Sequence, residues 1–139
     1  MFLCKGRQRR RRGLAATELA LLTPPLVFLA VATADFGRIF YATSILANCA
    51  RNGAFYQSDA LYAATSPYSG VTQAALADAG NLSPTPTVST STQTDSMGQL
   101  SVSVTVSYTF TTIMSYPGIA STTNLARTVQ MRMAAATPY

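Results

Sequence analysis

Leu14-Ala15-Ala16-Thr17-Glu18-Leu19-Ala20-Leu21-Leu22-Thr23-Pro24-Pro25-Leu26-Val27-Phe28-Leu29-Ala30-Val31-Ala32-Thr33-Ala34 is the stretch that decides the fold. Glu18 is its only charge, and 21 residues at 1.5 Å each span about 31 Å as an α-helix, the hydrocarbon thickness of a bilayer. Directly before it stand Lys5, Arg7, Arg9, Arg10, Arg11 and Arg12, six of the ten basic residues of the chain. A cluster of this kind holds its flank in the cytoplasm and sends the other flank across. Beyond Gly13 four arginines stand against five acids, so the net charge of +5 belongs to a short head. The lipid bilayer is the expected partner, and no nucleic acid is expected, because no second basic patch supports the head.

Composition bounds the chemistry. At 139 residues, 48% apolar and 11% charged, the chain holds one small domain and is not disordered. Histidine is absent and Glu18 is the single glutamate, which excludes a catalytic triad and a His-ligated metal site. Asp59, Asp78 and Asp95 are scattered singly, with no spacing that gathers metal oxygens. No catalytic residue, metal or cofactor is expected, and the chain is not read as an enzyme. Cys4 in the head and Cys49 are separated by the membrane and cannot pair. Cys49 reads as a small buried residue, with an intermolecular disulfide as the alternative.

Three fates are open to the apolar run. Ala32-Thr33-Ala34 is an A-x-A-like signal-peptidase site, whose use releases a secreted soluble binding domain starting at Asp35. An uncut signal anchor of the cell envelope is the second fate. The third is a cut on the cytoplasmic side, between Gly13 and Leu14, which gives Leu14 a free amino group. Glu18 costs a few kcal/mol if charged at a bilayer centre, but it lies four residues from Leu14, near the interface. A positive partner in the membrane would give it a role, since opposite charges attract strongly at low dielectric. Pro24-Pro25 predicts a kink or local unwinding.

Past Ala34 no breaker intervenes, and Phe36, Ile39, Phe40, Thr43, Leu46, Ala47, Ala50 and Ala54 recur at three- and four-residue intervals. This predicts one long helix that becomes amphipathic, with Asp35, Arg38, Asn48 and Asn52 on the opposite flank. Phe40, Tyr41, Phe55 and Tyr56 read as packing residues. Residues 71–79 read as a short helix ending at Gly80-Asn81, after turn chemistry at Ser66-Pro67-Tyr68-Ser69-Gly70. Leu100, Val102, Val104, Val106, Tyr108 and Phe110 alternate with Ser and Thr, a period-two strand with one buried face. Residues 85–94 form a weaker partner joined through 95–98, Tyr116-Pro117-Gly118 turns, and Val129, Met131 and Met133 mark a last strand. The predicted class is α+β, a long N-terminal helix, transmembrane then amphipathic, packed on a small antiparallel sheet. The predicted divisions are a leader (1–13), a transmembrane helix (14–34), a stem (35–56), a connecting segment (57–82) and a sheet domain (83–139).

Arg11-Arg12-Gly13-Leu14-Ala15-Ala16-Thr17-Glu18 resembles a type IV prepilin processing site. Asp35-Phe36-Gly37-Arg38-Ile39-Phe40-Tyr41-Ala42 and Asn48-Cys49-Ala50-Arg51-Asn52-Gly53-Ala54 resemble the TadE-like family, pseudopilins of the tight-adherence (Flp, type IVb) pilus assembly system. The resemblance covers residues 13–56 and departs at Leu19, where the family usually has an aromatic residue. It implies a pilin-like architecture and a minor pilin or pseudopilin anchored in a bacterial inner membrane, single-pass, with its C-terminal domain periplasmic or extracellular. It also implies processing at Gly13 and Leu14 by a prepilin peptidase, and subunit register through Glu18 against a neighbour's N-terminal amine. Helix packing through Phe36, Ile39, Phe40, Leu46, Ala50 and Ala54 onto other pilins and the assembly machinery completes what it implies.

Overall fold

The computed structural model describes residues 7–94 and 96–134. Its elements are α1 (Arg7–Ser58), α2 (Ala60–Thr65), α3 (Val71–Leu76), β1 (Thr87–Thr94), β2 (Leu100–Thr111) and β3 (Thr122–Arg132). The chain is α+β and divides between Gly37 and Arg38 into two compact units.

The first unit is helical. The helix runs unbroken across Pro24 and Pro25, so the predicted unwinding does not occur. Pro24 and Pro25 remove the two backbone donors that would meet the Ala20 and Leu21 carbonyls, so the helix runs through this point without two of its bonds.

In the second unit the remainder of α1 packs on an antiparallel sheet of order β1-β2-β3. Val102, Val104 and Val106 of β2 are fully buried, and they face Leu46, Cys49, Ala50 and Ala54 of α1 in one core cluster. Register aligns Val88 of β1 with Val106, and Val129 and Met131 of β3 with Val104 and Val102, so three strands offer one apolar face. Small residues let the layers approach closely. A Cβ at Gly53 would lie 3.0 Å from the Ala75 Cβ and 3.1 Å from the Val104 Cγ1. The helix runs antiparallel to β2. Arg38 at its start donates to the Thr111 carbonyl at 3.4 Å, while the Ser58 carbonyl at its end accepts from the Ala134 amide at 2.8 Å.

Several boundaries differ from the sequence reading. The Asp59 carboxylate accepts from the Leu61 and Tyr62 amides at 2.9 and 3.1 Å, ending α1 and capping the unexpected helix α2. The third helix stops at Leu76 and β1 starts at Thr87. The last strand begins at Thr122, seven residues before its apolar alternation, because pairing with β2 supplies backbone hydrogen bonds whatever the side chains. Tyr116-Pro117-Gly118 does turn, with Gly118 at φ +79°. Asp95 of the expected β1–β2 connection lies outside the described residues.

Truncating the fully buried Leu46 to Ala is expected to cost about 2–5 kcal/mol. Phe40→Ala, at a side chain 75% exposed, should change stability by less than about 0.5 kcal/mol. Thermal melts of the detergent-solubilised chain, followed by near-ultraviolet circular dichroism, compare the two.

Candidate functional site

Leu14, Leu19, Leu21, Leu22, Leu26, Val27, Phe28 and Leu29 are all between 45% and 78% exposed. Removing such a side chain from water is worth about 1.5–3 kcal/mol when complete, so eight of them favour an apolar surrounding by on the order of 10 kcal/mol or more. Against this stands one carboxylate, costing about 3 kcal/mol even at a bilayer centre. An apolar surrounding wins, and a bilayer is one that fits. This is the one described helix long and apolar enough to cross a membrane, and its most apolar window is not buried within the chain at all.

The polar side chains of the run fit the same surroundings. Thr17 donates to the Leu14 carbonyl at 2.8 Å, Thr23 to Leu19 at 2.7 Å and Thr33 to Leu29 at 2.8 Å. Each hydroxyl is thereby satisfied within its own helix and needs no water. Glu18 is different. It is exposed, one helical turn beyond Leu14, and among the described residues it makes no hydrogen bond or ion pair. Gly13 and Leu14 are also exposed, on the same helix, and nothing lies within 4 Å of a Cβ built at Gly13.

The residues expected to pack the helix divide into two groups. Leu46, Ala50 and Ala54 are fully buried in the core; Ile39 is half-buried; Phe36 and Phe40 are 67% and 75% exposed. The buried stripe is instead Ala42, Leu46, Cys49, Ala50, Gly53 and Ala54. Asp35, expected on the solvent flank, is only 3% exposed. Arg38, on the same expected flank, donates to the Thr111 carbonyl and sits 5.0 Å from the centroid of the Phe110 ring. Asn52 donates to the Asp78 carboxylate at 2.8 Å. Together with Phe55, Tyr62 and Tyr68 these two line a cleft of about 140 Å³ that the sequence did not reveal. Phe55 and Tyr62 meet edge-on at 4.6 Å, and the Tyr56 hydroxyl donates to the Tyr68 carbonyl at 3.0 Å, so the aromatics here do pack. The partial signal was Asp59, an N-cap residue type at the start of α2.

Cys49 is fully buried. Burial, and secondarily the negative charge of Asp78, push its thiol above the ordinary value of 9.0. The unfolded chain therefore ionises first. The thiol's contribution to stability is intact below pH 9.0 and is lost as pH rises beyond it. In a Cys4→Ser chain, maleimide labelling of Cys49 is expected to be slow in the folded protein and fast in denaturant, read by mass spectrometry. Equal rates in the two states would contradict the buried thiol.

Comparison with curated proteins and with solved structures returns no match. The sequence model of the family described as TadE-like protein matches residues 13–54, a stretch that holds Gly13, Leu14, Glu18, the apolar run and the buried stripe. Residues 13–54 are thus similar to the TadE-like family, and they lie on a helix long and apolar enough to cross a membrane.

Proposed function

We propose that the chain is a membrane-anchored pseudopilin or minor pilin that takes part in tight-adherence (Flp-type) pilus assembly. It lies in a bacterial inner membrane with its basic head cytoplasmic and residues 35–139 on the far side. A prepilin peptidase cuts between Gly13 and Leu14, making the chain an enzyme's substrate rather than an enzyme. The new ammonium of one subunit then meets Glu18 of the next, while Phe36 and Phe40, exposed in the isolated chain, pack against sibling pilins.

The observation that carries this reading is the coincidence of Gly13, Leu14, Glu18 and the apolar run on one helix with the TadE-like match. The Glu18 carboxylate, which has no hydrogen bond or ion pair among the described residues, supports it further. Within a bilayer a lone charge is costly, and an ammonium from a neighbour offsets that cost only when the subunits are aligned. Glu18 thereby sets register as well as affinity. Release of a soluble domain by cleavage after Ala34 is disfavoured, because that bond falls inside both α1 and the matched stretch.

Sequencing the N-terminus of protein recovered from native membranes is expected to give Leu14; Asp35 or an uncut head contradicts processing at Gly13. Removing one partner of a buried ion pair costs about 3–5 kcal/mol. Glu18→Ala should therefore weaken association with sibling pilins by about 100-fold or more while leaving membrane insertion intact, read by co-purification and pilus counts. Unchanged assembly would exclude the register role.

A further inference from the structure

We infer that the β2–β3 loop, residues 112–121, is a second membrane contact, seated in the lipid–water interface of the bilayer that holds the apolar run. The inference rests on the membrane reading of residues 14–34 and adds a surface that this reading does not contain.

Three observations lead to it. The first is composition. Thr112-Ile113-Met114-Ser115-Tyr116-Pro117-Gly118-Ile119-Ala120-Ser121 carries no charge, and its Ile113, Met114 and Ile119 are 59%, 42% and 64% exposed. A connection between strands is ordinarily polar; one with three large apolar side chains turned outward fits a lipid surface. Tyr116 in the loop and Tyr41 on α1 add the aromatic residue type enriched at membrane interfaces.

The second is location. Arg38 follows Ala34 by four residues, a stretch of chain that reaches at most about 14 Å. Its guanidinium is bonded to the carbonyl of Thr111, the last residue of β2, and lies over Phe110. Since β2 runs antiparallel to this part of α1, the loop that follows Thr111 leaves the sheet at the Arg38 end of the helix. The base of the loop is therefore tied to Arg38, a short reach of chain from residue 34.

The third is preorganisation. The Ile119 amide donates to the Tyr116 carbonyl at 3.1 Å, with Pro117 and Gly118 at the centre of the turn and Gly118 at φ +79°, the pattern of a type II turn. At the neck, the Thr112 amide and hydroxyl both donate to the Ser121 carbonyl, at 2.9 and 3.2 Å. These paired backbone groups hold the apolar side chains outward and lower the ordering cost of insertion.

The chain contains no tryptophan, so a single introduced Trp is a unique reporter. Full-length Leu22→Trp, Met114→Trp, Ile119→Trp and Leu100→Trp chains are reconstituted in phosphatidylcholine–phosphatidylglycerol vesicles, with or without a mixture of lipids brominated near the headgroup end and at the middle of their acyl chains. Leu100 begins β2, about 36 Å from Thr111 along the strand. Emission from Met114→Trp and Ile119→Trp is expected to shift to shorter wavelength and lose intensity with the brominated lipid, while Leu100→Trp stays unquenched. Quenching at Leu22 with none at Met114 or Ile119 overturns the loop contact and leaves the membrane span standing. A blue shift at Ile119 without quenching overturns it too, because the loop is then covered by protein, such as a second copy. Absence of quenching at Leu22 overturns the membrane span itself.

Discussion

The fold depends on apolar surface for which the domain has no room. A three-stranded sheet has one apolar face, here Val102, Val104 and Val106 with Val88, Val129 and Met131 around them. That face is already occupied by Leu46, Cys49, Ala50 and Ala54. Nothing in so small a sheet can receive the leucines between 14 and 29, so they require another apolar phase. A lipid bilayer is a phase that a helix of this length and composition fits. The polar details agree, since the threonine hydroxyls of the run close onto their own helix and leave a single carboxylate outward.

The two parts of α1 obey different rules. In the membrane-spanning part bulk is useful, because any large side chain gains from contact with acyl chains. In the stem, small residues are useful, because Ala42, Ala50, Gly53 and Ala54 bring the backbone close to the sheet and to α3. The large aromatics Phe36 and Phe40 are excluded from that contact and stay at the surface. One helix thus supplies a long apolar run, a core face and an exposed aromatic pair.

This division also explains how much could be read from the sequence. The strict alternation of β2 and the length of the apolar run were legible, because burial on one face or on all faces leaves a direct imprint. The helical stripe was harder. Reading it by bulk selected Phe36 and Phe40, whereas the buried stripe is defined by small side chains and by Leu46. Asp35 lies seven residues before Ala42, on the same side of the helix, and its burial cannot be inferred from a rule that sends charge outward. The first half of β3, Thr122 to Thr128, lacks alternation because its partner strand, rather than its own apolar face, holds it in place. Of the candidate site, Gly13, Leu14 and Glu18 carry a spacing alone, to which the structure adds that Glu18 is exposed and makes no hydrogen bond among the described residues.

The central claim is that residues 14–34 lie in lipid. Alkaline carbonate extraction of native membranes tests it most directly, since it strips peripheral and soluble proteins but leaves spanning helices in place. The account predicts that the chain stays in the membrane pellet and is released only by detergent. Recovery of the native protein in the carbonate supernatant would contradict it.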